Sequence, residues 1–193
     1  MSTVKPPRQK SSVSDNSNCK NILAQNFNPS KSNSVWVCDF TYIRVGTRFY
    51  YLCAVLDLYA RKIIAYKLSK RMDTQLAIDT LDLAVANRGQ SSGIIFHSDR
   101  GAQFTSKCFR KHLDDLNMIQ SFSAKGHPYD NAAMECFFEY LKKEETNRRN
   151  YSSLSELQLS LFQYIYGFYN SSRPHSHNNG LSPNQAEDLY FSH

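Results

Sequence analysis

From residue 34 the chain alternates runs of β-branched and aromatic residues with short polar breaks. The runs VWVCDFTYIRV (35–45), RFYYLCAVLDL (48–58) and KIIAYKLS (62–69) are separated by V-G-T-R and Y-A-R-K, which predicts three consecutive antiparallel strands. Asp73 then stands where a helix cap belongs. Leu76, Thr80, Leu81, Ala84 and Val85 recur behind it at helical spacing, so a helix ending near Gly89 is expected. A short buried strand follows in GIIFHSD (93–99), a second helix over residues 105–117 and a short strand in MIQSFS (118–123). After a break at Gly126-His127-Pro128, residues 131–146 and 154–170 read as two long helices. The order βββαβαβα predicts the α/β class: an RNase H-like fold with a mixed five-stranded sheet, its first three strands antiparallel, flanked by helices.

Outside this patterned region the text differs. Residues 1–33 are rich in Ser, Asn, Lys and Pro and poor in apolar side chains, so they cannot bury enough surface to offset chain entropy. They are expected as a flexible basic leader, residues 34–172 as the core, and residues 173–193 as a C-terminal tail. With 193 residues and 41% hydrophobic composition there is material for one well-buried core. No run approaches the roughly 18 apolar residues of a membrane span, and the N-terminus lacks the apolar segment of a secretory signal. The five cysteines are odd in number and contain no C-x-x-C pair, which argues against a disulfide framework or a zinc site and for a reducing cytoplasm.

Charge narrows the class of partner. The formal net charge is +6, and its distribution is uneven: residues 1–149 carry 22 basic and 14 acidic side chains, the remainder 1 and 3. A basic excess of this kind suits a polyanion such as nucleic acid, without saying what is done to it.

Candidate chemistry lies in the acids. Asp39 interrupts an apolar strand, Asp99 ends another, and Glu135 falls in the first turns of a helix that turns Met134, Phe137, Phe138 and Leu141 inward. A carboxylate within an apolar strand is costly unless it is paired or binds metal. Phosphodiester cleavage needs several carboxylates delivered to one point, because two divalent ions about 3.5–4 Å apart activate the attacking oxygen and stabilise the leaving one. Between Asp99 and Glu135 lie 35 residues, a spacing that has little force alone in a chain of 17 acids. Asp57 reads as structural, since Arg61 four residues on offers it a salt bridge. Lys142, seven residues after Glu135, stands about 10.5 Å along the same helix and about 20° off its face, placed to meet DNA phosphates.

Six segments in order make the chain recognisable. W-V-C-D-F-T-Y-I (36–43), V-L-D-L-Y-A-R (55–61), H-S-D-R-G-A-Q-F (97–104), G-H-P-Y-D-N-A-A-M-E-C-F-F-E-Y-L-K (126–142), F-Y-N-S-S-R-P-H (168–175) and L-S-P-N-Q-A (181–186) resemble the integrase core of bacterial insertion-sequence transposases. The resemblance implies a retroviral-integrase-like fold and an Asp, Asp, Glu triad at Asp39, Asp99 and Glu135 that binds two Mg²⁺ or Mn²⁺ ions. It implies a DNA transposase in which water attacks an element end and the freed 3′-hydroxyl attacks another strand. Lys142 matches a DNA-contacting basic position of the family; His97, Gln103 and Asn131 lie in its active-site motifs as candidates for supporting roles.

Implied partners are DNA, as element ends and target, a homo-oligomer formed on DNA, and a helix-turn-helix region or upstream-frame product that reads the ends; no membrane is implied. Cys38 stands where the family often has Thr, and Cys136 where Ser is common. Two alternatives share the fold: a non-catalytic DNA-binding or assembly subunit, and an RNase H-like nuclease that only hydrolyses.

Overall fold

A computed structural model describes residues 19–89, 92–124 and 128–192. The three expected strands form as β1 (Val35–Val45), β2 (Arg48–Asp57) and β3 (Lys62–Ser69). A two-residue turn joins the first pair, and Gly46 at φ 56° supplies its left-handed corner. Helix α1 (Thr74–Arg88) starts where Asp73 accepts the Leu76 N–H at 3.1 Å, an interaction worth about 1 kcal/mol. Strand β4 (Ile95–Ser98), helices α2 (Ala102–Thr105) and α3 (Lys107–Asp115), and strand β5 (Ile119–Phe122) follow. The helix expected over 105–117 is α3, and a separate short helix, α2, precedes it. Ser106 leaves the helical conformation, and its hydroxyl accepts the Phe109 N–H at 3.2 Å to start α3 afresh.

The first long C-terminal helix is α4 (Ala132–Leu141), continued by a π-helical turn over Lys142–Thr146. The second is α5 (Leu154–Phe162), which runs into π-helical Gln163–Tyr169. The Gly126–His127 part of the expected break lies outside the described residues.

The sheet order is β3-β2-β1-β4-β5. β1 pairs antiparallel with β2 and parallel with β4, and β4 pairs parallel with β5, so the sheet is mixed as expected. Its middle is buried on both faces, which explains the uninterrupted apolar run at the start of β1. Val35 and Val37 pack towards α4 and α5 with Leu52, Phe137 and Leu161, while Trp36 and Cys38 pack towards α1 and α3 with Leu81, Phe96 and Phe109.

The chain ends are more ordered than their composition suggests. Residues 1–18 of the expected leader lie outside the described residues, but residues 19–33 are not a loose strap. The Ile22 and Leu23 N–H groups donate to Ser121 Oγ, Phe122 N–H donates to Lys20 O, and Leu23 is buried in the core. Composition misled because the segment borrows its apolar surface from β5 and the sheet. The expected tail contains α6 (Pro183–Phe191), capped by a reciprocal Ser182–Gln185 pair.

That helix is tied down by salt bridges. Glu187, 4% exposed, meets Lys62 at 2.5 Å and Arg88 at 2.6 Å, and the Arg88 guanidinium also reaches Asp57 at 3.3 Å. Asp57 is structural, as expected, but its partner is Arg88 rather than Arg61. The Arg61 guanidinium instead donates to Leu58 O, closing the β2–β3 turn.

Candidate active site

The site lies where two parallel neighbours part company. β4 is only four residues long, and its ladder with β1 ends at Val37↔His97, whereas the β1–β2 ladder runs on to Val45↔Arg48. Asp39 and Asp99 each stand two residues beyond the last β1–β4 pair. They occupy the crevice at the carboxyl ends of parallel strands, where open α/β sheets characteristically place their chemistry.

Both acids are half-buried. The Asp39 carboxyl is pushed from 3.8 up to about 7 by desolvation and then by the nearby charge of Asp99; the Phe40 N–H, donating at 2.7 Å, opposes the rise. Glu135 adds a smaller upward push and Lys142 a downward one, so the charges of all four groups meet at Asp39. Burial also raises the Asp99 carboxyl, against the Gly101 N–H that donates to its Oδ1 at 2.9 Å. The close approach of neighbouring side chains explains the glycine. A β-carbon at 101 would lie 2.9 Å from Asp99 Oδ1 and 2.9 Å from Gln103 Oε1, so any larger residue would displace the carboxylate.

Glu135 comes from the other layer. Helix α4 buries Met134, Phe137, Phe138 and Leu141 against the sheet, as its spacing predicts, and leaves Glu135 on its exposed side. Lys142 follows in the π-helical turn, its ammonium 5.3 Å from the centre of the Tyr42 ring.

Among the described residues, no three Asp, Glu, His or Cys side chains stand close enough to hold one metal ion. The donor set nevertheless suits a hard divalent cation: carboxylate oxygens, two of them in a desolvated crevice whose mutual repulsion a cation would relieve.

The three residues considered for support fare differently. His97 is fully buried with Nδ1 2.9 Å from Ser121 Oγ and Nε2 3.2 Å from Ser123 Oγ. Burial pushes its pKa down to about 4, partly opposed by Asp130, so it is a neutral strut between β4 and β5 at physiological pH. Gln103 donates to Met72 O at 3.2 Å and borders Gly101 beside Asp99. Asn131, 5% exposed and one turn before Glu135, has neither side-chain oxygen nor nitrogen hydrogen-bonded.

Sequence reasoning missed a latch around Asp130. Its 1%-exposed carboxylate accepts from Asn21 Nδ2 at 2.9 Å, Gln25 Nε2 at 2.9 Å and the Ala124 N–H at 2.6 Å. The residues before the first strand thereby fasten the turn that leads into α4. No local pattern signals a contact spanning 109 residues.

Comparison with known proteins identifies the family and the fold. The family model described as integrase core domain matches residues 29–128, and a second with the same description matches residues 116–183. Transposase InsF for insertion sequence IS3A of Escherichia coli (strain K12) is 40% identical over 169 residues, covering 88% of this chain and 59% of the relative. The chain thus spans somewhat more than half the length of the curated relatives it matches.

Among solved structures, the simian T-cell lymphotropic virus intasome in complex with PP2A regulatory subunit B56 gamma superposes with a TM-score of 0.68 at 20% identity, over 82% of this chain and 55% of that chain. The HTLV-2 integrase catalytic core domain in complex with magnesium (trimeric form) gives a TM-score of 0.57 at 16% identity, over 80% of this chain and 95% of that one. At these identities the likeness is one of fold.

Proposed function

The chain belongs to the integrase core domain family, and from that premise we propose that it is the catalytic domain of a DNA transposase, cleaving element ends and joining them to another strand. The observation that carries this reading is the crevice itself. Asp39, within β1, and Asp99, just past β4, each stand two residues beyond the last β1–β4 pair, and the charges of Glu135 and Lys142 act on the Asp39 carboxyl. A mere structural ion pair would set a base against each acid. Here two acids face one another in a desolvated place, an arrangement that gains from a bound cation.

Asp39, Asp99 and Glu135 would hold two Mg²⁺ or Mn²⁺ ions, which supply Lewis acidity to the attacking and leaving oxygens of an in-line displacement. The chain's own residues do the rest. Gly101 holds the Asp99 carboxylate through its N–H, the neutral His97 braces β4 against β5 beneath the site, and Lys142 offers positive charge to a phosphate beside it.

DNA, as element ends and target, is the proposed substrate, with a homo-oligomer assembled on it. A helix-turn-helix region or upstream-frame product would read the ends. The basic excess of residues 1–149 and the relatives' transposase identity support the DNA partner. No described helix is long and apolar enough to cross a membrane; the cytoplasm, with the nucleoid as the place of action, is the proposed location.

The test is an assay with labelled element ends in Mg²⁺ or Mn²⁺. Asp39→Asn, Asp99→Asn and Glu135→Gln should each abolish cleavage and joining in a chain that stays folded. Near-normal turnover in any one would remove that residue from the triad. Hydrolysis without joining in the unmodified chain would favour a nuclease instead.

A further inference from the structure

Because β4 stops at Ser98, β1 has no strand partner on that side among the described residues from Cys38 until Val45, where an isolated bridge to Tyr151 and the Gly46 N–H donating to Tyr151 O close the gap. Between these points a groove of about 590 Å³ runs along the open strand edge. Tyr42 and Arg44, successive outward residues of β1, form one wall; Lys142, Asn147 and Arg149 form the other.

Its charge is one-sided. Arg44, Lys142 and Arg149 line it, and no carboxylate does. Among the described residues Arg44 and Lys142 form no ion pair, while Arg149 pairs with Glu145 at its Nε alone. Arg44 spends its Nε on Gly46 O at 2.8 Å, and Arg149 spends its Nε on Glu145 Oε1 at 2.8 Å. A guanidinium carries five N–H donors, so a single Nε contact fixes the stem and keeps the terminal nitrogens for a ligand. Lys142 belongs to both places: its charge acts on Asp39, and its ammonium lies against Tyr42 inside the groove. Lys142 thus links the groove to the neighbourhood of Asp39, which lies on the same strand as Tyr42 and Arg44.

We infer that this groove is a phosphate-backbone subsite, in which Lys142, Arg149 and Arg44 hold the DNA strand that leads away from the reacting phosphodiester. The direction of the strand rests on the proposed catalytic reading; the binding of phosphates by the groove does not. Two features make DNA backbone the fitting ligand. Cations strung along a cleft suit an extended polyanion, and an aromatic face beside them tolerates any base, which gives affinity without sequence choice.

The test measures binding of a labelled random duplex to the full chain across a range of salt concentrations. Arg44→Ala and Arg149→Ala should each lower the slope of log K against log salt by about 0.9, and the double variant by about 1.8, as expected for lost phosphate contacts. Lysine at both positions should restore most of the slope, and Lys111→Ala on α3 should leave it unchanged. Melting curves establish that each variant is folded.

An unchanged slope and affinity in the double variant would overturn the inference, as would absence of DNA binding by the unmodified chain. Cleavage run in parallel separates this result from the catalytic reading. A reduced slope with no cleavage by the unmodified chain leaves the groove standing and the transposase reading fallen. An unchanged slope with cleavage that Asp39→Asn abolishes does the reverse.

Discussion

Asp39→Asn should stabilise the metal-free chain at pH 8 while removing its response to Mg²⁺. In the fold the Asp39 carboxyl holds its proton up to about pH 7, against an ordinary value of 3.8, because it is desolvated and faces Asp99. Below pH 3.8 folded and unfolded chains are both protonated there, and the residue costs nothing. As pH rises through the interval, the unfolded chain ionises while the folded chain does not, so stability falls until about pH 7 and then levels off. The gap corresponds to roughly 4 kcal/mol when complete. Asp99, raised for the same first reason, steepens the fall.

Asparagine has nearly the same shape, still accepts the Phe40 N–H, and carries no charge at any pH. The variant should therefore be about 2–4 kcal/mol more stable than the parent in EDTA at pH 8, or roughly 5–15 °C in melting temperature for a chain of this size. At pH 4 the two should be nearly equal. Adding Mg²⁺ at pH 8 should recover the parent's lost stability and do little for the variant, since binding to the folded state alone shifts the unfolding equilibrium. Thermal melts from pH 4 to 8.5, with EDTA or Mg²⁺, read all of this. A variant no more stable than the parent in EDTA at pH 8, or one that Mg²⁺ stabilises equally, would refute the argument.

Gly101→Ala should leave the fold within about 1–2 kcal/mol of the parent, because its new β-carbon meets only the movable ends of Asp99 and Gln103; it should cut end cleavage on the order of 100-fold, as misplacement of a reacting group does. Asp130→Ala strands three donors, on Asn21, Gln25 and Ala124, and should lower urea-measured stability by about 2–4 kcal/mol, whereas an effect below 0.5 kcal/mol would mean the latch is ornamental. Arg173→Lys loses both the forked contact with Glu144 and the guanidinium face 3.7 Å from the Tyr140 ring; a cost of about 1–2 kcal/mol in denaturation is expected, and full retention of stability would show that charge alone suffices.

What could be read in the sequence was what neighbours decide. The alternation in β1 to β3, the Asp73 cap, and the inward face of α4 depend on spacing along a few residues, and each stands as the pattern implies. The positions of Asp39 in β1, Asp99 just after β4 and Glu135 in the first turn of α4 were legible for the same reason, since each depends on its own element. Where charges find partners was not legible. Asp57 had a plausible match four residues away in Arg61, yet the fold brings Arg88 to it from the end of α1 and spends Arg61 on a carbonyl in its own turn.

Residues 19–33 looked unable to bury anything, and alone they would not; they settle because β5 and Asp130 present complementary groups from a hundred residues later. The groove beside Asp39 exists only because β4 is short and Tyr151 returns to bridge Val45. Local spacing sets periodicity and caps, since those interactions close within one turn or one strand pair. The choice among distant partners belongs to the tertiary structure, because it turns on which desolvated groups the packed layers bring within a few ångströms of one another.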